Sequence, residues 1–122
     1  MAGTVTTNET RHRPLQKVEF DWTSSAGGAA DATTTGYYSG EVVRVVQIPD
    51  GGGTVPSAAY DVVVNDDDGT DVLHGEGANL SESAVTLKTT ADGLGAVVES
   101  KLTLAVTNAG NAKGGKTILY LR

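Results

Sequence analysis

The chain has 122 residues, no cysteine and a formal net charge of −6. Without a thiol it can form no disulfide, thiolate metal centre or iron–sulfur cluster. An acidic surface is also wrong for a non-specific nucleic-acid binder or a partner of anionic membranes, both of which need cationic patches. The length fits one domain, and no apolar run approaches the roughly 20 residues of a membrane span.

Hydrophobic residues make up 39% and aromatics 5% of the chain, and glycine reaches 16. Val and Thr favour strands and Gly favours turns, so the composition points to an all-β protein. Residues 1–14 are small and polar, with no periodicity and no apolar signal-peptide core. They are expected to form a flexible arm, or one that orders on a partner, with residues 15–122 as the folded domain. Arg11, His12 and Arg13 are the expected partner-binding residues, the arginine pair suited to docking on carboxylates, and Pro14 biases the residue before it towards extended conformations.

Leu15 to Ser24 alternates cleanly, with Val18, Phe20 and Trp22 on one face and Lys17, Glu19 and Asp21 on the other. This is the period of a pleated strand, and the bulky rings should anchor a core. Residues 25–35 read as a loop or a weak strand start. Tyr37 to Ile48 reads as a long strand bent at Ser39-Gly40, and residues 41–48 are apolar on both faces except Arg44 and Gln47. Such near-continuous apolarity suits a central strand. Residues 49–56 are a Pro- and Gly-rich connection.

Tyr60 to Leu80 holds the sharpest local signal. Tyr60, Val62 and Val64 point one way and Asp61 and Val63 the other, until Asn65-Asp66-Asp67-Asp68-Gly69 stops the run with turn chemistry. Residues 71–74 are expected to return as a short strand, making a hairpin. Beyond it, residues 83–88 read as a strand with Val85 and Leu87 inward, and residues 89–95 as loop. Residues 96–107 read as one strand, with one helical turn possible over 94–101, and residues 116–121 as the last. Seven or eight short antiparallel strands with glycine-rich turns predict a single-domain β-sandwich or jelly-roll-like fold.

Three motifs suggest chemistry. Gly110 to Thr117 satisfies the P-loop pattern GxxxxGK[ST]. That mechanism needs a following helix whose amides hold phosphate, and Ile118-Leu119-Tyr120-Leu121 is strand-like, so a hairpin turn is expected. Asp66, Asp68 and Asp71, with Asp67, could gather around Ca²⁺. In an EF-hand register, however, Val64 and Gly75 would fall on liganding positions, so a solvated acidic turn is the stronger reading. His12 and His74 lack zinc-site spacing. No nucleophile–base pair is apparent, so the residues themselves assign no catalytic role and no cofactor.

Asp66-Asp67-Asp68-Gly69-Thr70-Asp71-Val72-Leu73, followed by Gly75-Glu76-Gly77-Ala78-Asn79-Leu80-Ser81, resembles a pattern in small structural proteins of tailed bacteriophages. So does Lys101 to Gly110 with its closing Ile118-Leu119-Tyr120-Leu121. The resemblance covers Tyr37 to Arg122 and implies a non-enzymatic virion component, made in the host bacterial cytoplasm. Its finer implication is a capsid decoration (cement) protein on the head surface, self-associating as a trimer and bound to the major capsid protein. A neck or tail role remains an alternative, as does a carbohydrate- or calcium-dependent adhesion module.

Overall fold

The computed structural model describes residues 3–122. Among them are nine strands: β1 (Thr4–His12), β2 (Leu15–Thr23), β3 (Ala30–Thr33), β4 (Tyr38–Pro49), β5 (Asp61–Asn65), β6 (Thr86–Thr89), β7 (Val97–Ser100), β8 (Thr103–Thr107) and β9 (Gly114–Leu121). The alternation in β2 sets the frame. Val18, Phe20 and Trp22 are buried, Trp22 at 1% exposure, while Lys17, Glu19 and Asp21 face outward. β2 is therefore half-buried, one face against a core and one in water.

Around it forms a six-stranded antiparallel sheet in the order β1-β2-β9-β4-β6, with β7 also paired to β4. A second sheet, β3-β8-β5, lies against it. The core between them unites Val18, Phe20, Trp22, Val42, Val45, Leu119 and Leu121 of the large sheet with Val62, Val64, Leu104 and Val106 of the small one. Tyr60, Val72, Leu73, Leu80 and Leu94 close it from the loops. Two sheets sharing one core make a single-domain β-sandwich, as the alternation predicts.

Several elements depart from the sequence reading. Residues 4–12, expected as part of an arm, are strand β1, paired residue for residue with β2 from Thr4↔Thr23 to His12↔Leu15. A polar strand with little to bury gains its order from this ladder, and Val5 packs against the core opposite Trp22. The first two residues of the expected arm lie outside the described residues. Residues 30–33 form β3, held by β8. The expected single strand over 96–107 is two strands in different sheets. The chain crosses between them at Leu102, whose amide donates to Thr34 Oγ1 and whose carbonyl accepts from the Thr34 amide. The helical turn falls earlier, as a 3₁₀ turn over Thr90–Asp92 capped by Thr89.

β4 joins both halves of the sheet edge. Its residues 38–41 pair with β7 and its residues 44–47 with β6. Between them the register against β9 shifts at Val42/Arg44. One extra residue reverses the alternation, so Val42 and Val45 both reach the core although three positions apart. Gly40 allows the close approach of the chain end: a Cβ there would stand 3.0 Å from the Arg122 carbonyl carbon, and its φ is +139°.

Candidate functional site

Each sequence-predicted site has a definite place. In the acidic turn, Gly69 takes φ +79° and closes it. Asp66 Oδ1 accepts from the Asp68 and Thr70 amides, both at 3.0 Å. Asp71 Oδ1 accepts from the Leu73 amide at 3.0 Å and the Val64 amide at 3.3 Å, and its Oδ2 from the Gly75 amide at 2.9 Å. These bonds fold residues 71–77 into successive turns, so the expected return strand is reduced to one bridge, Asn65↔Asp71. They also direct the Asp66 and Asp71 oxygens to the chain's own amides. Among the described residues no three His, Cys, Asp or Glu side chains gather as a metal site, so Asp66, Asp68 and Asp71 are not brought together as ligands.

The P-loop-like stretch forms a turn and then β9, with no helix after it. Its glycines serve packing: Trp22 pairs with Gly115, and a Cβ on Gly115 would stand 2.7 Å from Trp22 Cζ2. Lys113 Nζ donates to the Gly53 carbonyl at 3.1 Å rather than facing an anion cradle. His74 lies against the Gly93 carbonyl, Nδ1 at 2.9 Å.

The three basic residues sit at the tip of the β1–β2 hairpin. Arg11 is fixed there: its Nη2 donates to the Tyr37 carbonyl at 2.6 Å, its Nη1 to Gln16 Oε1 at 3.4 Å, and its guanidinium lies 4.5 Å from the Tyr38 ring centroid. Glu9 completes this corner, accepting from the Tyr38 hydroxyl at 2.6 Å and from the Thr35 and Gly36 amides at 3.1 Å. Burial disfavours the Glu9 charge, but the Tyr38, Gly36 and Thr35 bonds and the Arg11 cation outweigh it and hold the carboxyl below its ordinary 4.5. Arg11, Arg13, Pro14, Gln16 and Ser39 line an open cleft of about 630 Å³.

The sequence reading missed the outer face of the large sheet. Ile118 pairs with Val46, and Val46 with Leu87, so these three side chains stand in one row across β9, β4 and β6. Val46 and Ile118 are each 8% exposed yet lie outside the core cluster. Leu87 is 49% and Val85 58% exposed. Val85 and Leu87, expected inward, therefore point outward. The register puts Thr86 opposite Gln47 and Lys88 opposite Val45, giving the inward positions to them. Gln47, one of the two polar exceptions in residues 41–48, is 1% exposed, and its Oε1 accepts from Thr117 Oγ1 at 2.6 Å. The apolar row borders Tyr120, whose ring lies 5.2 Å from the Arg44 guanidinium and 5.9 Å from Lys17 Nζ. The one available signal was the two-sided apolarity of residues 41–48, which a strand with one wet face does not need.

No protein-family model matches the chain, and no curated protein sequence does. Among solved structures it is similar to an arabinose-bound α-L-arabinofuranosidase, at 11% identity and a TM-score of 0.44, covering 98% of this chain and 23% of that one. It is similar to a low-affinity xylan-binding module of the gut symbiont Roseburia intestinalis, at 10% identity and a TM-score of 0.44, covering 98% and 85%. A third likeness is to a carbohydrate-binding module of the β-sandwich superfamily, at 13% identity and a TM-score of 0.38, covering 100% and 55%. These likenesses carry no ligand and no activity to this chain.

Proposed function

We propose that this chain is a non-enzymatic structural protein of a bacteriophage virion, a decoration protein that docks the outer face of its six-stranded sheet on the major capsid protein. The observation that carries this reading is the exposed apolar pair Leu87 and Val85 at the open β6 edge of the large sheet, seated beside the buried Val46 and Ile118. Apolar surface on an outer sheet face marks an interaction site. The strands that build it, β4, β6 and β9, all lie within the stretch that resembles phage structural proteins. A partner that binds only assembled heads stabilises them by mass action, with no chemistry needed. The trimer implied by the resemblance would place three such faces on neighbouring capsid subunits.

The test is occupancy of purified heads by the wild-type protein and by the Val85→Asp and Leu87→Asp variants. Both positions are exposed, so the variants should melt within a few degrees of wild type. Occupancy should fall at least tenfold at limiting concentration. Full occupancy by both variants would refute the docking face, and exclusive binding to tails would move the protein to the neck or tail.

A second reading, a carbohydrate-binding module, has Tyr37 in its favour. The residue is 61% exposed, and its ring offers an apolar face for sugar stacking. The solved structures named above include a xylan-binding module and an arabinose-bound enzyme, so xylan and arabinan are the polysaccharides to try. Titration of wild type against Tyr37→Ala decides it: saturable binding lost in the variant supports this reading, and no binding retires it.

A further inference from the structure

The end of the sandwich where β4 begins carries two clefts of opposite charge. The basic one is the Arg11–Arg13 cleft. Arg11 is already immobilised by Tyr37, Gln16 and Tyr38, so it loses little conformational freedom on meeting an anion. Arg13 is exposed at the hairpin tip. The acidic cleft, of about 300 Å³, is lined by Asp66, Asp67, Asp68, Val97, Glu99 and Ser100.

This second surface is rigid as well. The Asp67 amide donates to Ser100 Oγ at 3.3 Å, which pins the turn to β7. Asp67, Asp68 and Glu99 remain exposed, and Val97 among them is 82% exposed. An apolar side chain so exposed inside an acidic rim is the pattern of a small interface centre with charged edges.

The two clefts are neighbours. Ser39 lines the first, Glu99 lines the second, and these residues are partners in the β4–β7 ladder. Among the described residues the one ion pair is Lys88–Glu76, so no salt bridge joins the two clefts, although Glu9 beside Arg11 offsets part of its charge and leaves Arg13 as the uncompensated cation. Adjacent patches of opposite sign are self-complementary under a two-fold rotation, which lays each basic patch on the partner's acidic one.

We infer that two copies of this chain associate through this end, Arg11 and Arg13 of each meeting Asp67, Asp68 and Glu99 of the other, with Val97 packed near Pro14. The surface is separate from the row at Val85 and Leu87, which pairs farther along β4. The inference does not rest on the capsid reading, and where the trimer of that reading forms as well, the two-fold contact links trimers and sedimentation shows species larger than a dimer.

Sedimentation equilibrium of the purified protein, over micromolar to near-millimolar concentration, tests it. Wild type should dimerise, and less so in high salt, since the screening length shrinks from about 10 Å at 0.1 M to about 3 Å at 1 M. Arg13→Glu alone and Asp67→Lys alone should each weaken the dimer at least tenfold, because the reversal acts at both symmetric contacts. Mixing the two variants should restore association, since one contact of the mixed pair is native and the other is charge-swapped. Circular dichroism of each variant checks that it is folded. A wild type that stays monomeric throughout overturns the inference, as does failure of the mixed variants to associate when each is folded.

Discussion

Gly115→Ala probes how the core is built. The added Cβ would stand 2.7 Å from Trp22 Cζ2 and 2.9 Å from the Ile48 carbonyl oxygen. Unstrained carbon contacts lie near 3.5–4.0 Å, so the ring must move by roughly an ångström. It has little room, because Trp22 is 1% exposed and packs against Tyr60 at a centroid distance of 5.6 Å. The carbonyl is no softer, because Ile48 is laddered to Lys116 of β9. Overpacking of this kind costs about 1–3 kcal/mol. For a 122-residue domain each kcal/mol lowers the melting temperature by about 3–6 °C, so the variant should melt roughly 3–18 °C below wild type. Gly51→Ala is the control: its added Cβ meets nothing within 4 Å, and its φ of −102° suits alanine. That change should be neutral or stabilise by up to about 1 kcal/mol. Thermal and urea melts followed by Trp22 fluorescence measure both. Equal melting of Gly115→Ala and wild type would show that the ring does not lie over this glycine.

Trp22→Ala should cost about 3–5 kcal/mol, read as a drop in the urea midpoint, and an intact midpoint would contradict the burial. Asp71→Ala removes the acceptor of three amides and should cost about 1–3 kcal/mol, with Asp71→Asn losing less; equal melting of all three proteins would count against the turn described. The pH profile should fall at both ends. Glu9 is held below its ordinary 4.5, so its contribution is present above that value and is lost as pH falls through the folded value, and Glu9→Gln should flatten the acid limb. Tyr60 is pushed from 10.0 up to about 12 by burial, so its neutral form is favoured, stability is lost as pH rises from about 10 towards 12, and Tyr60→Phe should soften the alkaline limb. Unfolding free energies measured across pH test both signs.

The sandwich was legible because its core strands carry one-sided patterns. Val18, Phe20 and Trp22, then Val62 and Val64, then Leu102, Leu104 and Val106 all point where the alternation puts them, into the core. The polar and edge strands were not. β1 is ordered by nine ladder pairs with β2; its four Thr and one Val favour a strand, but it lacks the one-sided apolar pattern that marks the core strands. Leu87 was placed on the wrong face because β6 is four residues long and takes its facing from β4, not from its own pattern. Likewise, nothing in Gln47 itself signals that Thr117, distant in sequence, will hold it inside the sandwich. The acidic turn was recognisable as a turn, yet its amide acceptors could be told from metal ligands only once Asp71 was seen holding the Leu73 and Gly75 amides. The hairpin-tip cations were visible in sequence, whereas their position beside Ser39 comes from pairing between distant strands.

The proposed docking of this sandwich on an assembled phage head through its outer sheet face is open to direct observation. Electron microscopy of the native virion tests it most directly. Docking as proposed places density for the sandwich domain on the head exterior, with Val85 and Leu87 against the capsid protein. Virions that lack the chain, or that hold it only in the tail tube, would contradict it.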